Sequence, residues 1–204
     1  MKIMKTQNNL LSIIAVSTLL LLPSFMAKAT TYQFQATLSG PNESPANFSP
    51  GTGFAVVYLD DSLNTMTINL NFSGLTGTTT ASHIHAATAS PLTGTAGVAT
   101  TTPYFAGFPI GVTSGTYNNV LNLTLASSYN ASYITANGGT TAGAEAALLA
   151  ALSSGSAYFN IHTTTFGGGE IRGFFVPVAV PEPSTIALVG LGGLALVVRR
   201  RKSA

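Results

Sequence analysis

Cysteine is absent from the 204 residues. That excludes a disulfide framework, a thiolate metal site and a cysteine nucleophile. Charge is scarce as well, at 7% of the chain, and the basic residues crowd the two ends. Lys2, Lys5 and Lys28 stand at the start, and Arg199, Arg200, Arg201 and Lys202 at the finish. Between residues 30 and 180 the one basic side chain is Arg172, against Glu43, Asp60, Asp61, Glu145 and Glu170, so the body is weakly acidic. A phosphate backbone needs clustered Lys and Arg, and nucleic acid is therefore excluded as a partner. No serine sits in a Gly-x-Ser-x-Gly elbow, and Asp60-Asp61 reads as a solvated turn pair, so no catalytic residue is assigned.

Long apolar runs occur only at the termini. Lys2 and Lys5, the run from Leu10 to Leu22 and the small-x-small exit of Ala27 and Ala29 compose a secretory signal peptide over residues 1–29. At the other end Pro181, Glu182 and Pro183 precede an apolar stretch to Val198 and the basic cluster Arg199, Arg200, Arg201. Such a segment stops translocation with its arginines in the cytoplasm, so a hydrophobic helix is expected at each terminus. The order Pro-Glu-Pro, helix, basic cluster resembles the PEP-CTERM sorting signal of Gram-negative bacteria, over residues 179–204. The resemblance implies export across the inner membrane and recognition of a membrane-anchored precursor by an exosortase, a transpeptidase that removes the tail. It further implies transient membrane contact and a destination at the cell surface or in the exopolysaccharide matrix of a biofilm, with extracellular polysaccharide or surface proteins as partners.

Residues 30–178 form a single domain whose pattern is β. Tyr32, Phe34, Ala36 and Leu38 alternate with polar residues, as do Met66, Ile68, Leu70 and Phe72. In a third run, Phe54, Val56 and Tyr58 are taken as the apolar face. Period two over short runs, joined by Gly-, Asn- and Pro-rich turns, predicts an all-β antiparallel sandwich. One departure is the Ala/Leu run at 141–155, which predicts a short helical insert. Tyr104, Tyr117, Tyr129 and Tyr133 read as strand packing before they read as sugar contacts.

All three histidines, Glu170 and Arg172 fall in two short segments, "ASHIHAA" and "YFNIHTTTFGGGEIRG". On a strand, residues two apart share a face, so His83 and His85 project together, and so do Asn160 and His162. If the Gly-rich turn sets His162 opposite Glu170 and Asn160 opposite Arg172, these residues make one polar face. Two readings follow. In the first, the face is a structural brace: Glu170 pairs with Arg172, the imidazoles bond backbone carbonyls, and no cofactor is expected. In the second, His83, His85, His162 and Glu170 bind zinc or copper.

The order "FQATLSGPNESP", "GTGFAVVYLD", "ASHIHAA", "YFNIHT" and "GGGEIRGFF" resembles the CHRD domain, named from chordin. The resemblance implies an immunoglobulin-like β-sandwich with faint likeness to Cu/Zn superoxide dismutase. Its implied role is a non-enzymatic structural or interaction module, with a metal-binding protein or superoxide-dismutase-like metalloenzyme as the alternative. Against that enzyme, the chain lacks the further histidines its metal site requires.

Overall fold

The structure is a computed structural model that describes residues 31–179. The signal-peptide exit at Ala27 and Ala29, the sorting residues at 181–183 and 199–201, and both expected terminal helices lie outside the described residues.

Eight strands form one antiparallel sheet: β1 (Thr31–Ser39), β2 (Thr52–Asp60), β3 (Thr65–Ser73), β4 (Thr79–His85), β5 (Gly115–Asn122), β6 (Tyr158–Thr163), β7 (Ile171–Phe174) and β8 (Val176–Val178). Their order is β4-β6-β7-β1-β2-β3-β5, with β8 paired to β1 off this path. β7 meets β1 at the single pair Ser39↔Arg172, and β8 takes the same edge of β1 at Gln33 to Gln35. There the sheet curls, and residues from both of its halves enter one hydrophobic core. Phe34, Val57 and Ile68 come from one half, and Ile84, Phe159 and Ile161 from the other. Phe105, in the loop between β4 and β5, stands 5.7 Å from Phe159 and 5.9 Å from Tyr117, so it fills space between the halves. Truncating such a fully buried phenylalanine to alanine costs about 3 to 5 kcal/mol.

The alternation expected for β1 and β3 holds, with Phe34, Ala36 and Leu38 and then Met66, Ile68, Leu70 and Phe72 buried. β2 is inverted relative to expectation. Ala55, Val57 and Leu59 are buried, and Phe54 and Tyr58 are more than a third exposed. The reason is register: Ala36 pairs with Ala55 and Phe34 with Val57, and paired residues share a face. Since β2 is apolar at both parities, its own sequence does not choose; its neighbour does.

The helix expected at 141–155 is present as α2 (Thr141–Ser153), and a second, unexpected short helix, α1 (Ala131–Ala136), precedes it. Asn130 caps α1 by accepting from the Ser132 N–H, and Thr140 caps α2 by accepting from the Gly143 N–H. α2 buries Ala144, Leu148, Ala151 and Leu152, a spacing of one helical face, and ends at Gly155, whose φ of 71° suits a left-handed terminal turn. Tyr117, Tyr129 and Tyr133 are buried in the core, and Tyr104 is partly exposed.

Candidate metal centre

Strand pairing assembles the site. β4 and β6 pair His83 with Asn160, His85 with Tyr158 and Ala81 with His162; β6 and β7 pair Asn160 with Arg172. The alternate residues Ser82, Ile84, Phe159 and Ile161 are fully buried beneath them. All three imidazoles therefore occupy the face turned away from the core. The His83 ring centre lies 4.7 Å from that of His85 and 4.7 Å from that of His162. One ligand atom from each histidine falls within 4.8 Å of the other two.

The hydrogen bonds fix ring orientation. His85 Nδ1 lies 2.8 Å from the Ala96 carbonyl and His162 Nδ1 lies 2.9 Å from the Gly167 carbonyl. A carbonyl only accepts, so each Nδ1 carries the proton and each Nε2 presents a lone pair. Those two Nε2 atoms and His83 Nδ1 are buried without a hydrogen-bond partner among the described residues. Buried nitrogens are normally paired, and here three unpaired ones share one cluster, with Asn160 Oδ1 and Glu43 Oε1 also unpaired on the same face. An imidazole with one nitrogen tied to a carbonyl and the other bare is the arrangement of a metal ligand with its outer partner in place. Burial, followed by the neighbouring His85 and His162, pushes His83 down to about 3. Burial also lowers His85 and His162, against the opposing carbonyl bonds. The trio is thus neutral at physiological pH, the form that coordinates metal.

Glu170 stands apart from this trio. Its fully buried carboxylate accepts from Ser49 Oγ, from Thr163 Oγ1 at 2.6 Å, and from the backbone N–H groups of Thr76 and Gly77. Burial alone would raise this carboxyl, but the four donors together hold it below its usual value. All its accepting capacity goes to tying the loops at Ser49 and at Thr76 and Gly77 to the end of β6. The expected ion pair with Arg172 also does not form. Glu170 sits on the bend after Gly169, whose φ of 132° interrupts strand alternation and sends the side chain to the side of Thr163.

Arg172 has other neighbours. Its Nε donates to the Asn42 carbonyl, its Nη1 donates to the Gly94 carbonyl at 3.1 Å, and the Glu43 carboxylate lies 3.9 Å from Nε. The guanidinium carbon stands 4.8 Å from the centre of the Tyr158 ring, which stacks on His85 at 4.7 Å and 6°. Burial raises Glu43 to about 7, against the pull of Arg172. Sequence reasoning missed Glu43 and Tyr158 as members of this face. The one available signal was that Glu43 is among only five carboxylates of the body.

An antiparallel β-domain with a three-imidazole group on one sheet face is the class these features define. Residues 34–175 match the CHRD domain, and residues 179–202 match the PEP-CTERM protein-sorting motif. The chain belongs to the CHRD domain family. No curated protein and no solved structure matches it. The sorting motif implies export and recognition by an exosortase. Among the described residues no helix is long and apolar enough to cross a membrane.

Proposed function

We propose that this is an exported, exosortase-sorted protein of the cell surface or extracellular matrix, whose CHRD domain is a non-enzymatic module holding one zinc or copper ion on His83, His85 and His162. The observation that supports it is a set of three buried, unpartnered ring nitrogens on three histidines that each bring a ligand atom within 4.8 Å of the others. A brace would leave no such atoms, because its purpose is to pair them. Imidazole donors without thiolate or carboxylate suit zinc and copper, and three protein ligands are a set that leaves a further coordination position. The same reading takes the curled sheet as an immunoglobulin-like sandwich, supported by the core its two halves share.

Elemental analysis of the exported protein tests the metal. About one zinc or copper per chain is expected, falling to background in His83→Ala and His85→Ala variants that keep the wild-type circular dichroism spectrum. Metal-free protein that also fails to take up either ion on dialysis would refute the proposal.

A further inference from the structure

Next to the histidine face, where β7 and β8 share the edge of β1, a cleft of about 480 Å³ opens to solvent. Its volume is in the usual range for a small-molecule site. Gln35, Thr37, Asn42 and Thr93 supply amide and hydroxyl groups, Phe174 supplies a ring, and Arg172 supplies the charge. Arg172 is the sole basic side chain of the body and is only 5% exposed, yet it lines this cleft.

The guanidinium is held but not saturated. Backbone carbonyls take Nε and Nη1, and the rings of Tyr158 and Phe174 lie 4.8 and 5.5 Å from its central carbon. Nη2 has no hydrogen-bond partner among the described residues. Glu43 forms a long ion pair with Nε at 3.9 Å, beyond hydrogen-bonding distance, and is not part of the cleft wall, so it leaves Nη2 free. A planar fork fixed by two carbonyls and two rings, with one N–H pair left over, is preorganised for an anionic oxygen.

The rest of the lining narrows the class. A phosphate dianion draws on several cations or a cluster of backbone N–H groups, whereas this cleft offers one arginine. A lone guanidinium matches a monoanionic carboxylate. Amides and hydroxyls on both sides match ligand hydroxyl groups, and an aromatic ring suits the apolar face of a sugar ring. We infer that this cleft binds a carboxylate-bearing sugar unit of the uronate type, with Arg172 on the carboxylate and Gln35, Thr37 and Thr93 on the hydroxyls. The inference does not rest on the metal reading, because none of the three histidines lines the cleft.

The test is titration of full-chain protein, with and without prior chelation, using glucuronate, glucose and inorganic phosphate as probes in heteronuclear NMR. Glucuronate is expected to bind in the millimolar range, about tenfold or more tighter than glucose or phosphate, and equally after chelation. Arg172→Gln is expected to abolish the preference. Because that variant also loses packing, Gln35→Ala and Thr37→Val serve beside it, each weakening glucuronate several-fold without moving the melting temperature. Equal binding of glucose and glucuronate, tighter binding of phosphate, loss of binding on chelation, or indifference to Gln35→Ala and Thr37→Val would each overturn the inference. So would an absence of glucuronate binding.

Discussion

Two buried polar groups lie on opposite sides of strand β6, and they are built in opposite ways. On the side of Thr163, one carboxylate is met by four protein donors. On the side of His162, three imidazoles meet and leave three nitrogens bare. The first group is complete, and removing any part of it exposes unmet need. The second leaves three ring nitrogens unmet by anything in the fold. Counting polar residues in the sequence does not separate a brace from a ligand set, because both are made of residues rare in this chain. Accounting for each donor and acceptor does.

The largest expected effect tests the brace. Glu170→Ala leaves the Thr76 and Gly77 N–H groups and two hydroxyls without their acceptor and should cost about 3 kcal/mol or more in denaturant unfolding. A loss below about 1 kcal/mol would erase the contrast. The next effect belongs to the imidazoles. Zinc or copper at a hundred times its dissociation constant should stabilise the metal-free protein by about 2.7 kcal/mol, and this gain should vanish in His162→Ala.

A smaller effect comes from Glu43, which lies beyond Asn160 on the outward face. Its carboxyl titrates at about 7 in the fold and at 4.5 when unperturbed, so the unfolded chain releases the proton first as pH rises. Wild type should therefore lose stability relative to Glu43→Gln between about pH 4.5 and 7, by on the order of 2.5 kcal/mol, and the loss should level off above that window. Stability curves of the two proteins at matched pH would show it, and a difference constant across the window would contradict it. The smallest effect is the sharpest contrast with Glu170. In metal-free protein His83→Leu removes a bare buried nitrogen and keeps apolar volume, so unfolding should change by less than about 1 kcal/mol.

The sequence carried these features unequally. Parity placed His83, His85 and His162 on one face because the pairing of β4 with β6 is regular from Ala81↔His162 to His85↔Tyr158, beyond the irregularity at Thr79 to Ala81. The same counting failed at Glu170, since it ran through a seven-residue loop whose Gly169 adopts φ 132°. A Cβ at Gly169 would meet Glu43 and Asn160 atoms at 2.7 to 2.8 Å, so that glycine is required where the chain departs from the strand pattern. In β2 the failure was one of phase, because Phe54 to Leu59 is apolar throughout and only pairing with β1 decides which side is buried. Helix α2 was legible from its Ala and Leu content. α1 was not, because its six residues include Tyr133, Ile134 and Thr135, which favour strands. The polar cleft beside Arg172 draws on three separate segments, and no local pattern reports such a meeting.

The central claim is that the outward face of β6 is a ligand set while its inward face is a brace. Calorimetric titration of zinc into metal-free, full-chain protein, run beside Glu170→Gln and His83→Ala, tests it most directly. The account predicts one zinc per wild-type chain, the same stoichiometry in folded Glu170→Gln, and no binding in His83→Ala. Zinc binding that requires Glu170 but survives His83→Ala, or no binding to wild type at all, would contradict it.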